Sequence, residues 1–166
     1  VTATRLAIRH PKLVSALILA DSSVGSGTNS KQAEAMRSRA GALSELGAAE
    51  FARQRSPLLV AEAAPKQVID EVERLFADSV RMPSYQWACN SMAETDHRDS
   101  LASIVVPTLV VCGDEDRVTP PKLSQELAEG IKGSTLAYVK GAGHLANQEH
   151  PADFNDIVAR FAKSLT

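Results

Sequence analysis

Two short segments of the sequence place a carboxylate and an imidazole where they could act together. Gly113-Asp114-Glu115-Asp116-Arg117-Val118-Thr119-Pro120 follows one apolar run, and Gly141-Ala142-Gly143-His144-Leu145 follows another. A carboxylate that accepts from one imidazole nitrogen fixes the tautomer and stabilises the imidazolium formed when the other nitrogen takes a proton. If both runs are neighbouring strands of a parallel sheet, their C-terminal ends share one edge and lie about 4.8 Å apart. Asp116 and His144 are the acid and base expected from this order. The glycines flanking His144 permit the tight turn that would aim the ring over the edge. Asp114 is the second candidate acid; nearer the strand, it reads better as a solvated turn or helix-capping residue. A loop histidine or an acidic turn alone is ordinarily a surface feature, so the ordered pair carries the argument. Val118 and Leu145, one or two residues beyond the pair, are the expected pocket walls.

The elements that must position these loops are readable from periodicity. Val14 to Ala20, Val105 to Cys112 and Thr135 to Val139 are continuous apolar runs, the pattern of parallel strands buried on both faces. Pro107, which lacks an N–H, marks the entry to the second run. Residues 2 to 9 read as a helix ended by His10-Pro11. Leu123, Leu127 and Ile131 recur every four residues after Pro120-Pro121, and Phe154, Ile157, Val158, Phe161 and Leu165 mark a closing helix after Pro151. The order is that of an α/β protein.

About 80 residues separate the first two strands, where a dozen or more suffice for a crossover. They are themselves helical in period. Ala33, Met36, Ala40, Leu43 and Leu46 form one stripe, Val68, Ile69, Val72, Leu75, Phe76 and Val80 a second, and Trp87 and Met92 lie in a third. Residues 22–98 thus read as a helical lid inserted into a core of residues 1–21 and 99–166. Ser22 to Ser30 reads as a flexible entry, and Trp87 and Met92 as groups that face a substrate or pack the lid on itself. His10, His97 and His150 are expected to be structural or surface groups.

Composition excludes several functions. With 18 Lys and Arg against 20 Asp and Glu, and only four Phe, two Tyr and one Trp, the chain lacks both the charge and the stacking groups for nucleic acid. No apolar run approaches the roughly 18 to 20 residues that span a bilayer. Neither HExxH nor CxxC spacing occurs, nor a GxGxxG or GxxxxGK loop, so no metal or nucleotide cofactor is expected. Cys89 and Cys112 are too few for a disulfide scaffold and suit a reducing, cytoplasmic setting.

The pattern of Gly113, Asp116 and Pro120 after VPTLVV, with Gly141, Gly143, His144, Glu149 and Pro151, resembles the acid and histidine loops of α/β-hydrolases. From Val1 onward the chain resembles the C-terminal portion of that fold, about three parallel strands with flanking helices and a helical lid. The resemblance implies a Ser-Asp-His triad, with Asp116 as acid and His144 as base. LILADSS before the lid, with Trp87 and Ser91-Met92-Ala93 ahead of Asp96, is similar to 3-oxoadipate enol-lactonases, which implies a small ester or lactone substrate. C–C bond hydrolysis, cofactor-free haloperoxidase-type chemistry and a non-catalytic remnant that binds a small apolar ligand or a partner are the alternatives. The family's GxSxG elbow is missing from these residues, and TATRLAIRH resembles the helix that follows it. The serine is therefore expected just upstream of Val1; Ser22 and Ser23 lack the elbow's context. A sheet of three strands would also leave an apolar edge open to self-association.

Overall fold

A computed structural model describes residues 1–165. Its elements are α1 (Thr2–Arg9), β1 (Leu17–Ala20), α2 (Ser30–Arg55), α3 (Lys66–Ser79), α4 (Ser84–Ala93), β2 (Thr108–Gly113), α5 (Pro121–Gly130), β3 (Thr135–Val139), α6 (Ala146–Glu149) and α7 (Pro151–Lys163). The strands form one parallel sheet in the order β1-β2-β3, with Leu17 opposite Thr108 and Leu109 opposite Thr135. All three strand C-termini therefore reach the same edge.

Helices cover the sheet unevenly. On one face Ala7 of α1, Leu17, Leu19, Val110, Leu127 of α5 and Ile131 make one core. On the other, Leu109, Val111 and Val139 pack against Phe154, Ile157, Val158 and Phe161 of α7. Only β2 is buried on both faces. β1 alternates, with Ile18 40% exposed, and β3 is half covered, with Tyr138 41% exposed. The expectation of three doubly buried strands is corrected here. The runs are apolar throughout, but α7 spans only the β2–β3 side of its face. β2 and β1 also start later than their apolar runs, because Pro107 has no N–H to give the ladder and Leu17 N first finds a partner at Pro107 O, 2.9 Å away.

The segment between β1 and β2 is helical, and α2, α3 and α4 pack mainly on one another. Phe51 meets Phe76 and Tyr85 edge-on with centroids 5.8 and 5.6 Å away, and those two rings tilt toward each other at 6.5 Å, beside Leu43 and Val80. α2 breaks at Gly47, whose φ is +73°, and Leu46 beside the break faces solvent.

The entry to the insertion is a bonded neck rather than a flexible linker. Val24 is 1% exposed, and its carbonyl accepts from His97 N at 2.9 Å; Gly27 N donates to Thr95 O at 2.8 Å and Ser26 N to Met92 O at 3.0 Å. A Cβ on Gly25 would lie 2.1 Å from the Thr95 carbonyl oxygen, so the outgoing and returning strands touch backbone to backbone. Small polar residues read as a linker from composition, yet here their smallness permits this contact. His97, expected at the surface, is buried in the neck for the same reason, and its Nε2 has no hydrogen-bond partner among the described residues.

β2 ends directly beneath the histidine loop. A Cβ on Gly113 would lie 2.1 Å from Ala142 O and 2.2 Å from Gly143 O. Gly113→Ala is expected to cost about 1–3 kcal/mol through displacement of that loop. In urea the midpoint should fall at constant slope; an unchanged midpoint would show that the loop yields freely.

Candidate active site

The acid loop leaves β2 and folds back on its own carboxylate. Asp116 is 3% exposed, and every part of the carboxylate is bonded. Oδ1 accepts from Val118 N at 2.7 Å and Thr119 N at 2.9 Å, while Oδ2 accepts from the Thr119 hydroxyl at 2.7 Å. Oδ2 also lies 2.9 Å from His144 Nδ1. Burial opposes charge on this group, but the bonds from His144 and Thr119 prevail and hold its carboxyl below the usual aspartate value. An ionised, buried and fully bonded acceptor is what keeps an imidazole in the Nδ1–H tautomer.

The histidine loop leaves β3 and is held from three directions. Gly141, with φ at +73°, makes the turn, and its N–H donates to Asp114 Oδ1 at 2.6 Å. Glu149 on α6 accepts from Gly143 N at 2.8 Å through one oxygen and from Ala61 N of the insertion at 2.7 Å through the other. Arg117 of the acid loop donates to Pro57 O and Val60 O at 2.9 and 3.0 Å. Both loops are thereby tied to residues 57–61. A Cβ on Gly143 would sit 2.4 Å from Ala61 N, so the approach needs glycine.

His144 faces a cavity of about 950 Å³ between the strand ends and the insertion, walled among others by Val1, Asp21, Arg39, Met92 and Val118. With Nδ1 engaged, Nε2 has no protein partner among the described residues. The side chain is 23% exposed, so the free nitrogen can meet a ligand.

Asp21, just past β1, lines the same cavity in a left-handed conformation, with φ at +42°. Its Oδ1 accepts from Gly113 N at 2.9 Å. Burial raises its pKa from 3.8 to about 6; the nearby Asp116 charge adds to the rise, and the Gly113 bond opposes it. The folded state thus holds this proton more tightly than the unfolded chain, and stability falls as pH rises from about 4 to about 6. Asp21→Asn, which cannot ionise, should gain on the parent by on the order of 1–2 kcal/mol between acid and neutral pH, once solvent screening is allowed for. Urea midpoints at the two pH values check this; a difference independent of pH would mean the carboxylate titrates normally.

Of the residues singled out from sequence, His144, Val118 and Met92 line the cavity, and Asp116 is bonded to the imidazole. Trp87 and Leu145 do not line the cavity. Trp87 is 65% exposed on the outer face of α4, and Leu145 turns into the start of α6. Asp114 bonds the Gly141 turn and does not touch the imidazole. Ser22 and Ser23 line the cavity, but the Ser22 hydroxyl is spent on Ala20 O and that of Ser23 accepts from Gly25 N. Sequence reasoning missed Thr119, Asp21 and Arg39. For Thr119 the sequence offers only a threonine before proline, and its hydroxyl bond to Asp116 emerges from the fold of the acid loop. Among the described residues no group of His, Cys, Asp and Glu could hold a metal ion, and no helix is long and apolar enough to cross a membrane.

Comparison with known proteins gives a consistent picture. A family model described as the alpha/beta hydrolase family matches residues 1–157. The chain is 31% identical over 160 residues to 3-oxoadipate enol-lactonase 2 of Acinetobacter baylyi, covering 95% of this chain and 58% of that protein. It is 33% identical over 115 residues to the AB hydrolase superfamily protein YisY of Bacillus subtilis, covering 60% of this chain and 43% of the relative. A thermophilic esterase from Thermogutta terrifontis superposes with a TM-score of 0.86 at 24% identity, over 98% of this chain and 61% of that one, a likeness of fold. The chain thus spans about half the length of the relatives it matches.

Proposed function

Because the chain belongs to the alpha/beta hydrolase family, we propose that it supplies the acid and base of a hydrolase for a small carboxylic ester or lactone, whose serine nucleophile precedes Val1 in the intact gene product. The observation that carries this reading is the Asp116–Thr119–His144 arrangement, with Nε2 left open toward the cavity. Val1 lines that same cavity, so a residue bonded to its amino group would stand at the cavity too.

In this mechanism His144 Nε2 takes the serine proton as the serine oxygen attacks the carbonyl carbon. Asp116 stabilises the imidazolium that results, and Thr119 keeps the carboxylate in place. The imidazolium returns the proton to the leaving alcohol as the C–O bond breaks; the same nitrogen then takes a proton from the water that attacks the acyl-enzyme and gives it to the serine oxygen as the acyl bond breaks. The helical insertion acts as the lid over the acyl group, with Met92 and Val118 as walls. The charged wall around the imidazole argues against a remnant that only shelters an apolar ligand.

The test is to treat the intact gene product with a fluorophosphonate and map the label. A labelled serine upstream of Val1, with labelling lost in His144→Ala, is the expected result. A product that carries residues 141–150 but takes no label would overturn the reading.

A further inference from the structure

Among the described residues three buried side-chain polar atoms lack a hydrogen-bond partner: Thr4 Oγ1, His97 Nε2 and Ser124 Oγ. Ser124 faces the Cys112 thiol. The other two belong to residues that border Val1. Thr4 is fully buried in the first turn of α1, and a helical threonine hydroxyl ordinarily bonds the carbonyl three or four residues back. Three back is Val1 O, which accepts from Arg5 N at 2.9 Å; four back would be the residue joined to the Val1 nitrogen in the intact gene product. His97 is 8% exposed, and its ring bonds the Val1 backbone. Burial outweighs that bond and holds the imidazole below the usual histidine value, so the ring is neutral at neutral pH. A neutral ring carries one donor and one acceptor, and leaving a buried Nε2 unanswered is unfavourable.

The same turn of α1 is fastened to the insertion by a further side chain. Arg5, half-buried, donates to Ser91 Oγ of α4 at 3.0 Å and to Thr95 Oγ1. Thr95 Oγ1 donates in turn to Ser91 O at 2.6 Å. His97 N and Thr95 O bond the outgoing side of the neck, at Val24 O and Gly27 N. One cluster of bonds therefore joins the chain that enters the insertion, the chain that leaves it and the first turn of α1. Val1 and Met92 line the same cavity as His144, so the turn held by this cluster is the one that brings the upstream chain to the imidazole.

We propose that the neck of the insertion positions the nucleophile: His97 Nε2 and Thr4 Oγ1 bond the segment that runs into Val1, and Arg5 keeps the neck seated against it. His97 is a positioning residue, acting on the serine through the backbone without touching substrate. The word nucleophile rests on the hydrolase reading, while the docking of the upstream segment stands apart from it.

The experiment uses the intact gene product, with p-nitrophenyl acetate turnover, the rate of fluorophosphonate labelling and a crystal structure as readouts. A displacement of about 1 Å at a reacting group costs on the order of a hundredfold. His97→Leu, which keeps bulk and drops both nitrogens, should lower kcat and the labelling rate at least about tenfold with KM within about threefold. His97→Gln, whose amide can donate and accept, should recover to within about threefold of the parent. Arg5→Met should lower kcat in the same sense. In the crystal structure Nε2 should lie within about 3.2 Å of a backbone or hydroxyl group of the segment before Val1. Water alone on Nε2, an unchanged kcat in His97→Leu, an equal loss in His97→Gln or a loss confined to KM overturns the proposal. Where His97→Leu does not fold, an unchanged kcat in Arg5→Met overturns it. The contact to Nε2 in a parent that takes no label and turns over no ester upholds the docking and sinks the hydrolase reading. Turnover by the parent with only water on Nε2 does the reverse.

Discussion

His144→Ala in the intact gene product should lower the turnover of a p-nitrophenyl ester by at least about a thousandfold. In the proposed mechanism the ring performs four proton movements in one cycle, from serine, to the leaving alcohol, from water and back to the serine oxygen, and alanine can perform none. No other imidazole can substitute. His97 is buried in the neck of the insertion, and neither it nor His10 or His150 lines the cavity. Folding should survive, because His144 is partly exposed and, among the described residues, its side chain bonds only Asp116 and Thr119. Residual activity within tenfold of the parent would remove His144 from the mechanism.

Asp116→Asn should cost nearly as much, roughly three to four orders of magnitude. An asparagine can keep the two backbone bonds from Val118 and Thr119 through its carbonyl oxygen. Its amide nitrogen would then face His144 Nδ1 where a carboxylate oxygen had been. A donor there demands an acceptor nitrogen, so the proton moves to Nε2 and the base is lost at the position that needs it. Asp114→Asn should be mild, within about tenfold, because Asp114 is exposed and an asparagine oxygen can still accept from Gly141 N. The opposite ranking would transfer the acid role to Asp114. The turnover of both variants on one ester decides it.

Asp116 and His144 were legible because each follows an apolar run, and parallel strands bring their C-terminal ends together whatever lies between. Thr119 was hidden only by its ordinariness, since a threonine before proline suggests a turn and nothing more. Asp21 was illegible for a stronger reason. Its proximity to Gly113 depends on the β1–β2 register, with Ala20 beside Val111 and Asp21 N bonded to Val111 O at 2.9 Å. No local pattern encodes a register across more than 80 residues. Arg39, on the cavity wall, and Arg55 lie on one helix that breaks at Gly47 between them, so helical spacing cannot state how they lie relative to each other. Trp87 shows the converse limit. Periodicity located its helix correctly but could not say which face the rest of the insertion would cover, and the indole came out on the bare one. The same holds for β1 and β3, whose apolar runs specify strands but not how far a covering helix extends.

The β1–β2 ladder imposes an order on the birth of the molecule. Leu17 leaves the ribosome roughly 90 residues before Thr108, the residue it faces, which at ordinary rates of synthesis is a wait on the order of 5–20 s. Helices form in microseconds, and α2, α3 and α4 find their contacts chiefly among themselves, so the insertion can be complete while β1 still waits for β2. α1, made before β1 and packed on it through Ala7, is thus the first neighbour able to shield the apolar strand from other nascent chains, while the insertion closes on itself.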